Sequence, residues 1–143
     1  KNKIVLIDPK YRDFSIYKNA KIITPNLKEL SVAANKEVYK INDIVKICRD
    51  MIGDNFFDHV LVTLAERGML LVSRSAVKYL PTTAKDVYDV TGAGDTVISV
   101  IALGMDSGLS IEDSASIANY AAGIVVGKKG TAITTKKKIF GIL

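Results

Sequence analysis

An α/β protein, with helices packed on a largely parallel sheet, is what this sequence predicts. Three observations carry that expectation. Short apolar runs rich in β-branched residues, each ended by turn residues, alternate with amphipathic or wholly apolar helical stretches. Apolar residues fill 48% of the 143 positions and charged residues 24%, enough for one globular domain with a sizeable core. The polar motifs fall just after the strands, where parallel sheets bind ligands.

Ile4 to Ile7 has the pattern of a buried strand, ended by Asp8-Pro9, and Ala20 to Ile23 is a second, ended by Thr24-Pro25. A helix begins near Asn26. Ile41 to Ile52 repeats its apolar residues at helical spacing and closes at Gly53. Val60 to Thr63 reads as a third buried strand. Met69 to Ser73 and Val77 to Leu80 form a hairpin pair around Arg74 and Ser75. Gly92 to Gly94 is a tight turn, followed by a buried helix from about Asp95 to Met105. Ser110 and Asp113 make an S-x-x-D start for the last helix. Through IANYAAGIVVG that helix is apolar on most sides, which calls for burial.

The composition narrows the function. A formal net charge of +5 suits an anionic small molecule. The densest basic cluster, Lys136 to Lys138, reads as a solvated face or frayed end near the C-terminus. Nucleic-acid binding would want aromatics interleaved with lysines, and there is no Trp and no such interleaving. The lone Cys48 lies on the apolar stripe Ile41, Ile44, Val45, Cys48, Met51, Ile52 and reads as core packing in a reducing compartment. His59 has no nucleophile signature near it and reads as structural. No His or Cys cluster offers a metal site. Neither a P-loop nor a dinucleotide fingerprint is present. No apolar run reaches the roughly 18 residues of a membrane span, and no secretory leader is visible. A cytoplasmic location is expected. Because the chain opens at Lys1 and enters a strand almost at once, it is expected to be a piece of a longer protein.

Four motifs carry candidate chemistry. In DVTGAGDT, Gly92, Ala93 and Gly94 lie between Asp89 and Asp95. A helix N-terminus there offers unpaired N–H groups, and small residues let a phosphate approach them. An acid at the same turn repels phosphate, so its chemical role would be to take a proton from an attacking hydroxyl. An Asp N-cap after a glycine turn is the alternative. NLKE, from Asn26 through Leu27 and Lys28 to Glu29, reads as a capping box or as a holder of hydrated Mg²⁺ or nucleotide phosphates. TLAERG ends a strand at Thr63 and turns at Gly68, which suits a phosphate contact or an ordinary strand-to-strand turn. Asn119, in an apolar helix, needs a partner, either a ligand or a backbone carbonyl.

The order TPNLKE, VTLAERG, DVTGAGDT, ANYAAGIVVGKKGTA resembles the C-terminal half of the ribokinase-like (PfkB) sugar kinases. Within that family, VLIDPKYRDFSIYKNAKIITPNLKEL, VYDVTGAGDTVI and VVGKKGTA resemble the heptose 7-phosphate kinase domain of bifunctional ADP-heptose synthases. The resemblance covers nearly the whole chain. It implies a ribokinase-like fold, ATP and Mg²⁺ as cofactors and a sugar phosphate as acceptor. It implies that Asp95 is the catalytic base and that the Gly92, Ala93 and Gly94 backbone is the anion hole. Asn26, Leu27, Lys28 and Glu29 match the nucleotide and Mg²⁺ segment, with Asn26 and Glu29 holding Mg²⁺ through water. Thr63 and Gly68 match positions along the ATP phosphates, and Asn119 and Gly123 positions near the adenine. Asp89 and Thr91 match a monovalent-cation site of some relatives, and Lys10 a position close to a phosphate. The chain departs at Ala65, where sugar kinases often carry Gly, and at Val90, where Thr is commoner. The family's sugar-binding half and lid precede the matched region. A chain with one His cannot carry the H-x-G-H of the fused adenylyltransferase. Residues 1–143 are therefore expected to be the nucleotide-side part of a kinase domain, and to self-associate through surfaces the other half would cover.

Overall fold

The computed structural model describes residues 3–10, 12–54, 57–84, 86–128, 132–135 and 137–138. Lys136, and Lys129 to Thr131 of the KKGTA motif, lie outside the described residues. The chain divides into two compact units, Lys1–Ala65 with Met69–Tyr79, and Glu66–Gly68 with Leu80–Leu143.

The first unit is built on a five-stranded mixed sheet in the order β1-β2-β3-β4-β5. Its strands are β1 (Leu6–Ile7), β2 (Ala20–Ile23), β3 (Phe57–Thr63), β4 (Met69–Ser73) and β5 (Val77–Leu80, whose last residue belongs to the second unit). β1 to β3 run parallel, and β3 and β4 are antiparallel. The strand expected over Ile4 to Ile7 forms a ladder only at Leu6 and Ile7. Val5 still accepts Lys21 N–H at 2.7 Å, so the chain reaches the sheet before its side chains are covered. β3 begins at Phe57, three residues before its apolar run. Its polar start is explained by the Lys21–Asp58 ion pair at 2.9 Å across the β2/β3 pair.

Two helices pack on this sheet. α1 (Leu27–Ala33) begins after Asn26, where the cap puts it, and α2 (Ile41–Gly53) follows its apolar periodicity and runs one residue further, through Gly53 itself. Ile44, Cys48 and Ile52, spaced four apart, are buried with Leu30, Val60, Val62, Leu70 and Val72 in one core. Burial pushes the Cys48 thiol up to about 12, as expected for a packing residue.

The second unit is a helix pair, α3 (Ala93–Asp106) and α4 (Ile111–Val126). Ser110 accepts Asp113 N–H at 3.0 Å and donates to its carboxylate at 2.7 Å, the S-x-x-D start read from the sequence. The small face of α4, with Ala115, Ala118, Ala121 and Ala122, is buried. A Cβ on Gly104 would stand 2.5 Å from Ser114 Oγ, so that glycine sets how closely the helices approach. Among the described residues no helix is long and apolar enough to cross a membrane.

Candidate active site

The first unit gathers its candidates at the carboxyl ends of parallel strands, Asp8 after β1, Asn26 after β2 and Thr63 closing β3. Asn26 and Thr63 form an isolated parallel bridge, and Thr63 N–H donates to Pro25 C=O at 3.0 Å. NLKE is a complete capping box. Asn26 Oδ1 accepts Glu29 N–H, and Glu29 Oε2 accepts Asn26 N–H, each at 2.8 Å. The other Glu29 oxygen lies 3.9 Å from Lys10 Nζ, which sits 2.8 Å from Asp8 Oδ2. Leu27 is half-buried against the core, and Lys28 is exposed.

The donors of this cluster bear on whether it suits Mg²⁺. The described residues hold no cluster of three or more His, Cys, Asp or Glu. They do place two carboxylates and a side-chain carbonyl together with one ammonium standing among them. Mg²⁺ takes hard oxygens, keeps several waters and usually needs only one or two carboxylates beside the substrate phosphates. The donor set fits, and Lys10 already stands there as a cation.

The second unit builds GAGD as a left-handed turn opening a helix. Gly92 is the N-cap of α3 at φ +80°, a conformation that favours glycine. The turn proper is Thr91–Gly92, and Ala93 and Gly94 are already helical. The helix thus starts two residues before the Asp95 expected from the sequence, taking in Gly94 although glycine is a poor helix former. At the first turn, though, it forfeits little. The N–H groups of Gly94 and Asp95 have no partner among the described residues, and nothing lies within 4 Å of a Cβ built on Gly94. Thr96 Oγ1 donates to Gly92 C=O at 2.8 Å and holds the turn. Asp95 is exposed in the first helical turn beside these free N–H groups. Upstream, hydrogen bonds from the Thr91 side chain and backbone hold the Asp89 carboxyl below its usual range, the backbone one at 2.8 Å. Tyr88 and Asp89 N–H both reach Val126 C=O at the end of α4.

Gly68, Asn119 and Gly123 share a neighbour that the sequence did not reveal, the segment Leu80 to Ala84. Gly68, at φ +90°, would put a Cβ 2.1 Å from Leu80 C=O. The buried Asn119 side chain donates to Pro81 C=O at 2.8 Å, so of its two possible partners the carbonyl is the one present. A Cβ on Gly123 would meet Thr83 Oγ1 at 2.3 Å. Long-range backbone contacts of this kind leave no local pattern, so only the need for small or amide residues was visible. His59 lies within β3, opposite Ser73, as part of the sheet.

The model of the pfkB family of carbohydrate kinases matches residues 2–138. This chain belongs to the pfkB carbohydrate kinase family. The pfkB-family chain is 45% identical over 141 residues to the bifunctional protein HldE of Mesorhizobium japonicum, covering 99% of this chain and 28% of that protein. It therefore spans less than a third of that relative. Its fold is ribokinase-like. Arabidopsis thaliana ribokinase, solved with ribose and ATP, superposes with TM-score 0.86 at 24% identity, over 97% of this chain and 47% of that one. Escherichia coli phosphofructokinase-2, solved with potassium, gives 0.81 at 22% identity, over 90% of this chain and 41% of that one.

Proposed function

We propose that this pfkB-family chain is the nucleotide-side, base-bearing part of a kinase that phosphorylates D-glycero-β-D-manno-heptose 7-phosphate at C1. The donor is ATP, the product is the 1,7-bisphosphate, and the reaction belongs to ADP-heptose and lipopolysaccharide-core synthesis in the cytoplasm. The observation that carries the reading is the GAGD turn. Two free N–H groups at a helix start offer a place for the charge of the transferring phosphoryl. Asp95 beside them takes the proton as the acceptor oxygen attacks phosphorus and the bond to the ADP oxygen breaks. Asn26 and Glu29 would hold Mg²⁺ through water, and the ion would supply charge neutralisation at the phosphates. The family likeness assigns Thr63 and Gly68 to the phosphates, and Asn119 and Gly123 to the adenine. Asp89 and Thr91 are the place for a monovalent cation. The HldE likeness supports the heptose acceptor, and the share of each relative covered supports a sugar-binding half outside this chain.

The test is ADP release from Mg·ATP by the complete kinase domain with heptose 7-phosphate, fructose 6-phosphate, ribose or adenosine. Turnover confined to heptose 7-phosphate is expected. Asp95→Asn should keep ATP binding and lose about 10²–10⁴-fold in turnover. Normal turnover by that variant would remove Asp95 as the base. ATP binding without turnover on any acceptor would leave a nucleotide-binding module.

A further inference from the structure

Among the described residues, Lys10 is the cation that contacts both carboxylates of the first unit's cluster. Its ammonium lies 2.8 Å from Asp8 Oδ2 and 3.9 Å from Glu29 Oε1. The two carboxylates are largely covered, at 22% and 27% exposed, whereas the lysine side chain is 66% exposed. The acids are therefore held by the fold, whereas the lysine reaches them from an exposed position. Asp8 follows β1 directly, and Glu29 is pinned through its other oxygen by the capping box. Two fixed, partly desolvated carboxylates repel each other unless a positive charge stands near both. The exposed lysine can leave at low cost, because ordering a long side chain at the surface gains little.

We infer that Lys10 is a resident counter-ion that holds the Asp8–Glu29 pair until a divalent cation takes its place. This rests on the kinase reading only for the identity of the incoming ion. Before the ion arrives, Lys10 offsets the repulsion between two acids that the fold holds in place. When the ion arrives, the lysine must withdraw, which makes it a competitor of the metal and frees its charge for a phosphate. Lys10 is thus a positioning residue that touches the acids rather than the reacting atoms.

The experiment is Mn²⁺ binding to the nucleotide-free chain, read from the electron paramagnetic resonance of free Mn²⁺. Lys10→Met should tighten Mn²⁺ binding by about three- to tenfold, the effect of removing one nearby positive charge at a partly exposed site. Lys10→Arg should bind as the parent does. Glu29→Gln placed on Lys10→Met should abolish the gain. Binding by Lys10→Met equal to or weaker than the parent's would overturn the inference. So would a gain that survives Glu29→Gln. Circular dichroism on each variant separates loss of the site from loss of the fold. Neither arm uses turnover, so a kinase that works while Lys10 proves irrelevant sinks only this inference. Tighter Mn²⁺ binding in a chain that never binds ATP would sink only the kinase reading.

Discussion

Ala65 carries a left-handed backbone, φ +53°, in the turn between β3 and β4. For a residue with a Cβ that conformation costs about 1–2 kcal/mol, and glycine avoids it. Ala65→Gly is therefore expected to raise the urea midpoint, with a gain of about 1 kcal/mol. Three residues on, Gly68 is at φ +90° with no room for a Cβ beside Leu80 C=O. Gly68→Ala should cost at least about 2–3 kcal/mol or prevent folding. The two substitutions make a paired test of the same turn, and an Ala65→Gly variant less stable than the parent would contradict the backbone reading. Cys48 offers a third test. Its thiol is moved from 9.0 to about 12 by burial, so it carries almost no thiolate at pH 8 in the folded chain. Ellman's reagent should react only at the rate of unfolding, and fully in denaturant. Because the folded value lies above the unfolded one, stability is intact below about pH 9 and falls as pH climbs toward 12.

At the scale of elements, α3 opposes stability to function. A Cβ on Gly94 meets nothing within 4 Å, and the residue is helical, so Gly94→Ala should stabilise the fold by a few tenths to about 1 kcal/mol. The same methyl would stand beside the free N–H groups where a phosphate must come close. Higher thermal stability together with weaker ATP binding or slower turnover is the expected pair. A gain in both would mean that the turn does not meet the phosphate. Helix boundaries of this kind were legible where side chains cap them, as at Asn26–Glu29 and Ser110–Asp113, and where periodicity is clean, as along Ile44, Cys48 and Ile52. The strand ends were less so. β1 is shorter than its apolar run because Ile4 and Val5 lie outside the ladder. β3 is longer than its run because Asp58 is paired across strands with Lys21. The site was legible as local motifs, GAGD and NLKE. What could not be read was long-range, namely Lys10 between Asp8 and Glu29, and the three residues converging on Leu80 to Ala84.

At the scale of the whole chain, both edge strands of the sheet carry exposed apolar side chains among the described residues. β1 is one edge, with only two residues in its ladder, and Ile4 and Val5 beside it are 58% and 46% exposed. β5 is the other edge, with Val77 and Tyr79 exposed. Natural sheets protect their edges with charge, proline, bulges or a covering element, because unpaired N–H and C=O groups next to apolar side chains recruit another strand. At the β1 edge the described residues show Ile4 and Val5 in the open, and relatives of this fold are about twice as long as the region matched here. The chain is therefore expected to self-associate, giving a sedimentation coefficient that rises with concentration. Val5→Lys should shift that curve toward the monomer, because a lysine next to the ladder must stay in water and opposes a second strand there. Its core is untouched, since Val5 lies outside the buried set, so thermal stability should change by less than about 0.5 kcal/mol. A monomer at every concentration would show that the edge is already protected. Association unchanged by Val5→Lys would move the contact to β5, where Val77→Lys becomes the variant that dissolves it.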